Sequence, residues 1–246
     1  MTTTSVGRPA ADTAAELAKL FAAPLGAKGA AVMFLSYSGV IVRTPAGTVL
    51  VDPANLLTAD DIAVLKKNGV KAVLYTHGHS DHFVIGTAQA LARETGAVIV
   101  AEPTVAADLK AAGGIQADKI VTAAVGRDIQ VAGLIIHAVV GKHVGPIMLY
   151  RVQAGSVSFF HGGDSAYVPV EDCRADIAFL PTGNPSPTAS PEAALKMAQD
   201  VKPQVALLMH GAEAQHAAFA KLAARELPKM SVDVLRIGTV RILSLR

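Results

Sequence analysis

The chain of 246 residues predicts a mixed α/β (α+β) domain in which two sheets pack face to face with helices on both outer sides, a four-layer αββα sandwich. Three observations lead there. Short runs rich in Val, Ile and Leu recur along the whole length, bounded by Gly, Pro and Asp, as strands are. Stretches with apolar residues at helical spacing alternate with many of them. Each half of the chain also opens on a group of strands and then passes into strand–helix alternation, so each half supplies one sheet and its covering helices.

Residues 1–28 read as an N-terminal extension carrying a short helix, and residues 29–246 as the sandwich domain. TAAELAKLFAAPLG sets Leu17, Leu20 and Phe21 on one side and stops at Pro24 and Gly26. Such a helix packs against the domain or against a neighbouring subunit, which makes a homo-oligomer one expectation. AAVMFLSYSGVIVRTPAGTVLVDP reads as short strands turning at Pro45-Ala46-Gly47. TADDIAVLKKNG has Thr58 as N-cap, acidic residues in the first turn, and lysines with Gly69 at its end. Strand VKAVLYT leads into a histidine-rich stretch, followed by helix GTAQALARETG, strand AVIVA, helix PTVAADLKAAGG and strand KIVTA.

After Gly126 the character changes: RDIQVAGLIIHAVVG, PIMLYRVQAG and SVSFFHGGDS form three strands without helices. Strand DIAFLPT, helix SPEAALKMAQDVKP, strand QVALLMHGA, helix AEAQHAAFAKLAAREL and strands VDVLRI and TVRILSL complete the order. The Pro/Ser/Thr-rich stretch from Pro181 to Pro191 is short enough to be a loop over a site.

Composition removes several function classes. With 51% hydrophobic and 17% charged residues, extended disorder is excluded. The net charge of +2 comes without a clustered basic stripe, so no nucleic-acid partner is expected. No apolar run approaches the roughly 18 residues of a membrane span, and no basic-then-apolar leader pattern stands at the start. Cys173 is the only cysteine, which excludes an internal disulfide and fits a reducing compartment. The expected setting is the cytoplasm, and Cys173 reads as structural.

The chemistry is concentrated in YTHGHSDHF, Tyr75 to Phe83. His77 and His79, two apart on an extended strand end, project the same way. Asp81 and His82 follow where the chain turns into a helix, and so point at a second, adjacent position. Imidazole and carboxylate suit Zn, Mn or Fe, and the absence of a thiolate argues against a structural zinc site. A purely structural role would bury four ionisable groups unpaired, at high cost.

THGHSDH resembles the signature of the metallo-β-lactamase superfamily, whose fold is the αββα sandwich. The resemblance implies further sites at strand ends. Asp52 in VLVDP matches an aspartate that orients a ligand, His143 in VVGKHVG the third-motif histidine, Asp164 in FFHGGDS the bridging aspartate, and His210 in VALLMHGA the last histidine. His137 competes for the third motif, but it lies in mid-strand, whereas His143 follows Gly141 at a strand end. One metal ion would then be held by His77, His79 and His143, and the other by Asp81, His82 and His210, with Asp164 bridging.

The cofactors implied are two divalent ions, zinc foremost, with manganese or iron suiting the same donors. Two carboxylates cannot neutralise two such ions, so the site favours an anionic substrate or transition state. The implied activity is hydrolysis of a small, anionic ester, lactone or phosphoester by metal-bound hydroxide, with Asp81 and Asp164 as the catalytic carboxylates. His79 stands where the diiron branch of the superfamily carries glutamate, which favours hydrolysis. The alternatives are a mononuclear-iron sulfur dioxygenase, which shares H-x-H-x-D-H, a nuclease, and a metal-binding scaffold without turnover. Weak basicity and an aromatic content of 4% weigh against the nuclease.

Within the superfamily the chain is similar to the group that includes L-ascorbate-6-phosphate lactonase, through VLVDP, THGHSDH, GGDS and IAFLPTGNPSPTASPEAALKMAQDVKPQVALLMHG. It departs from that group at Ser36-Tyr37-Ser38, where Gly-His is common. Either Tyr37 takes that place, where it could donate a hydrogen bond to a developing oxyanion, or the role is absent here. His161, near Asp164, and Thr182 and Asn184 of the 181–191 loop are expected to support the ligands or touch substrate. His216 reads as an ordinary surface residue.

Overall fold

The apolar runs become two seven-stranded sheets in the computed structural model, which describes residues 13–246. Of the extension read at residues 1–28, residues 1–12 therefore lie outside the described part. Helix α1 (Thr13–Ala22) is followed by β1 (Gly29–Ser36), β2 (Gly39–Thr44), β3 (Gly47–Val51), α2 (Ala59–Asn68), β4 (Ala72–Tyr75), α3 (Ile85–Thr95), β5 (Val98–Ala101), α4 (Pro103–Ala112) and β6 (Ile120–Thr122). The second half runs β7 (Ile129–Val131), β8 (Leu134–Val140), β9 (Met148–Ala154), β10 (Val157–His161), β11 (Ile177–Pro181), α5 (Pro191–Val201), β12 (Val205–Met209), α6 (Glu213–Glu226), β13 (Ser231–Val234) and β14 (Val240–Ser244).

The first sheet has the order β14-β1-β2-β3-β4-β5-β6 and the second β13-β12-β11-β10-β9-β8-β7. Pairing is antiparallel where hairpins join the strands, as in β1–β2–β3, and parallel where helices cross over, as in β3–β4–β5–β6. Alternation along each strand assigns the layers. Phe159 and Leu207 point between the sheets with Val32, Leu74 and Tyr150. Phe160 and Leu208 point outward, under α5 and α6, with Met197 and Phe219. Leu50 and Leu91 pack on the outside of the first sheet, where Leu17 and Leu20 of α1 are also fully buried. Strands covered on both faces read as unbroken apolar runs, and β1 is buried at every position.

Thr58 caps α2 as expected: its side chain accepts from Asp61 N–H, and the Asp61 carboxylate accepts from Thr58 N–H in return. Two readings need correction. The segment taken as one strand before Gly141 is two, β7 and β8, joined at Ala132-Gly133 with φ of 49° and 79°. A two-residue hairpin turn with positive φ at both positions favours Asn, Asp or Gly, and alanine at the first gives no sequence signal for one. The last strand does not finish the second sheet either. β14 returns to the first and pairs antiparallel with β1, Gly29 opposite Ser244 and Val32 opposite Arg241.

This topology gathers one end of the sandwich. Asp52 follows β3, His77 and His79 follow β4, His143 follows β8, Asp164 follows β10, Thr182 follows β11 and His210 follows β12. The β1–β2 hairpin, carrying Tyr37 and Ser38, reaches the same end. Among the described residues no helix is long and apolar enough to cross a membrane.

Candidate metal centre

Asp52 organises the loop after β4. It is fully buried with φ of 47°, a left-handed conformation held here by three donors. Thr76 N–H donates to its Oδ1 at 2.8 Å, Thr76 Oγ1 donates to its Oδ2 at 2.6 Å, and His82 Nδ1 donates to Oδ2 at 2.8 Å. The turn itself closes through His79 O, which accepts from His82 N–H and Phe83 N–H, both at 2.9 Å.

Two groups of metal-ligating atoms result, each with its atoms within 4.8 Å of one another: His77, His79 and His143, and then Asp81, His82, Asp164 and His210. In the first, His77 Nε2 lies 3.0 Å and His143 Nε2 3.3 Å from His79 Nδ1. Two imidazole nitrogens on one tetrahedral zinc would be about 3.3 Å apart. The outer nitrogens decide which way these rings face. Thr76 spends its hydroxyl hydrogen on Asp52, so it accepts from His77 Nδ1–H at 3.0 Å. Thr188 spends its own on the Asp164 carbonyl at 2.8 Å, so it accepts from His143 Nδ1–H at 2.9 Å. Both Nε2 lone pairs are thereby left facing His79.

In the second group Asp164 Oδ1 lies 2.8 Å from His210 Nε2 and 3.2 Å from His82 Nε2, and Asp81 Oδ2 is 3.6 Å from His82 Nε2. Ser38 Oγ donates to the same Asp164 oxygen at 3.0 Å. Asp164 groups with this second set, while its charge is still felt at His77 and His143. Asp52 also lies close to His77 and His82, but its oxygens are already occupied by the three donors above. The donor set fits divalent ions that take nitrogen and oxygen ligands. Imidazole nitrogens facing one another with their outer N–H groups already used are relieved by a cation. His210 Nδ1 is buried without a hydrogen-bond partner among the described residues, so the ring is held through Nε2 and by its packed neighbours.

Electrostatics separates the two groups. Burial, with the neighbouring His82 charge, pushes His77 down to about 3, and burial also lowers His143. Burial opposes the charge on His82 as well, but Asp52 and Asp164 at its two nitrogens outweigh it and raise the ring to about 10. Against its own burial, Asp164 is held well below the carboxylate range by hydrogen bonds from His210 and His82. Asp52 is likewise lowered, burial being overcome chiefly by His82. Without metal the first group is therefore neutral at His77 and His143, and the second carries a proton on His82.

The remaining predicted residues fall around these groups. Tyr37, at φ of 50°, sets its ring 5.9 Å from the His210 ring at a tilt of 43°. His161 is buried with both nitrogens in use: Nε2–H donates to Ser38 O at 2.9 Å, and Nδ1 accepts from Gly163 N–H at 3.2 Å. It thus holds the serine that reaches Asp164. Thr182 is buried, and its N–H donates to His210 O at 2.6 Å. Asn184 is exposed at the rim, its N–H donating to Gln215 Oε1 at 2.9 Å.

His137 lies apart on β8, paired with Asp128 at 3.0 Å, so the structure groups His143 and not His137 with His77 and His79. His216 is no ordinary surface residue: it is half-buried, with Nδ1 2.8 Å from Thr182 Oγ1. Cys173 is fully buried, and burial pushes its thiol up to about 12, which leaves it inert. Ser38, Thr76 and Thr188 were not legible as site residues, because a hydroxyl that orients a ligand has no spacing rule.

Gly211 supplies a local test. A Cβ there would stand 2.0 Å from Thr182 Oγ1 and 2.6 Å from His216 Cε1. Gly211→Ala is expected to cost about 1–3 kcal/mol, as overpacking does, and to weaken binding of zinc to the group that contains His210. Thermal unfolding with and without zinc would read both effects.

Residues 47–211, more than half of the chain, match the beta-lactamase superfamily domain, and the chain belongs to the metallo-β-lactamase superfamily. A UPF0173 metal-dependent hydrolase of Thermoplasma acidophilum is 29% identical over 177 residues, spanning 66% of this chain and 75% of that protein. A metallo hydrolase from Ignicoccus hospitalis superposes with a TM-score of 0.72 at 21% identity, covering 89% of this chain and 100% of the other. A diiron β-hydroxylase from Streptomyces venezuelae shares the fold with a TM-score of 0.62 at 14% identity, over 91% of this chain and 55% of the other. The fold alone therefore does not choose between hydrolysis and redox chemistry.

Proposed function

We propose that the protein is a metal-dependent hydrolase that holds two divalent ions, one on His77, His79 and His143 and one on Asp81, His82 and His210, with Asp164 shared between them. The substrate is a small ester, lactone or phosphoester whose reacting group carries or gains negative charge. One observation carries the reading: seven donors converge in two groups while the outer nitrogens of His77, His82 and His143 are spent on Thr76, Asp52 and Thr188. The name carried by the Thermoplasma relative supports it.

When bound, such ions supply Lewis acidity and bring the pKa of a water towards roughly 7. The protein's own part is positioning. Asp52 fixes the His82 tautomer and, through Thr76, that of His77. Ser38 and His161 hold Asp164 in place. His79 is exposed and His143 half-buried, so the reacting group approaches over the first set of ligands. Asp81, whose side chain is 32% exposed, is the carboxylate placed to take a proton from an attacking water. The buried free thiol of Cys173 is compatible with the cytoplasm as the setting.

Elemental analysis of wild type and Asp164→Ala, purified without chelators and reloaded with zinc or manganese, tests the reading. Two ions per chain are expected in wild type and fewer in the variant, with hydrolysis of a lactone and phosphodiester panel falling in parallel. One iron per chain would transfer the reading to a mononuclear oxygenase, and no metal under either loading would leave only the scaffold.

A further inference from the structure

A cavity of about 240 Å³ opens beside His210. Its walls are apolar: Phe34 at the end of β1, the ring of Tyr37, and Leu235 and Ile237 beyond β13. Asn184, His216, the edge of His210 and the Tyr37 hydroxyl supply the polar groups of its lining, and among the described residues no Lys, Arg, Asp or Glu lines it. The walls are fixed in advance by backbone bonds: Gly238 N–H donates to Phe34 O at 2.8 Å and Leu235 N–H to Leu208 O at 3.3 Å. Tyr37 belongs both to this cavity and to the surroundings of the metal ligands, since its ring packs against His210.

We propose that this cavity is the subsite for the non-reacting part of the substrate, and that this part is uncharged and apolar, a short alkyl chain or a single ring. The proposal rests on the hydrolase reading for the word substrate, but its geometry stands apart from it. The volume lies below the roughly 300 Å³ at which sites for drug-sized ligands begin, so it selects a small group. A charged tail would be buried against Phe34 and Leu235 with no opposite charge to pair it, which is costly. A neutral tail leaves nothing unpaired. The division of labour is then spatial: charge develops at the metal ligands, while selectivity for the tail resides beside His210.

The test uses two independent readings. Butanamide, pentanamide, hexanamide, adipamic acid (a hexanamide ending in carboxylate) and 6-aminohexanamide are titrated into the metal-free full chain, followed by NMR at the methyl signals of Leu235 and Ile237. Affinity is expected to rise about fourfold per added methylene, as burial of each CH₂ group predicts, and to fall at least tenfold for either charged tail. Ile237→Asp, at a position 42% exposed where folding tolerates the change, should erase the chain-length dependence, and Ile237→Lys should make the carboxylate tail the preferred one.

The same tails on γ-lactones, assayed with zinc-loaded protein, should show the matching order in kcat/KM. Affinity indifferent to chain length, or equal for charged tails, overturns the subsite even if lactones are hydrolysed. Graded binding with no hydrolysis of any ester, lactone or phosphoester overturns the catalytic reading and leaves the subsite standing.

Discussion

Asp52→Ala is expected to cost about 3–5 kcal/mol of stability and to lower metal affinity about 10–100-fold, although Asp52 is assigned to neither ion. The buried carboxylate is the common acceptor for Thr76 N–H, Thr76 Oγ–H and His82 Nδ1–H. Alanine leaves all three without a partner in a dry site and frees the rings of His77 and His82 to turn. Urea unfolding of the metal-free proteins gives the first number, and calorimetric zinc titration the second. The effect also has a pH signature. Because the folded carboxylate is lowered below its unfolded value, its contribution is present above about pH 4 and lost as pH falls through the folded value. The gap between wild type and variant should therefore close in acid. A variant as stable as wild type at neutral pH would sink this account of the loop.

Under the proposed two-ion assignment, the ions are expected to differ in the protons they displace. At pH 7–8, filling the His77, His79 and His143 group should release none from His77 or His143, which are already neutral. Filling the other group must expel the proton of His82, raised to about 10. Affinity for that second ion should rise about tenfold per pH unit up to roughly pH 10, a dependence that His77 and His143 do not add to the first. Calorimetry in buffers of different ionisation enthalpy separates the steps, and equal proton release for both would count against the assignment. For the metal-free fold the sign is opposite. A raised histidine contributes stability that is complete below its unfolded value near 6.5 and is lost as pH rises through about 10. Alkaline conditions thus weaken the empty fold while strengthening its hold on the second ion.

Much of this was legible in the residues because burial leaves a pattern. Strands covered on both faces are apolar runs, helix ends carry caps, and the cluster from His77 to His82 has a spacing that few alternatives explain. The 132–133 hairpin was not legible, since Ala132 adopts positive φ only because β7 and β8 pair around it. Nor was the partner of β14: TVRILSL says strand, not which sheet. Around the ligands the limit was chemical. Thr76, Thr188 and Ser38 act through a single hydroxyl each, brought close by loops distant in sequence, and His216 acquires its bond to Thr182 only when the start of α6 meets the loop after β11.

The pairing of β1 with β14 also has a consequence in time. Gly29 must find Ser244, so the first sheet keeps an open edge until the distant strand has been made. At about 5–20 residues per second of synthesis, that wait is on the order of 10–40 seconds. During it β1, whose eight residues are all buried in the finished fold, presents unpaired backbone to any other nascent chain. Expression yield should accordingly respond to chaperone supply more than the stability of the finished protein suggests.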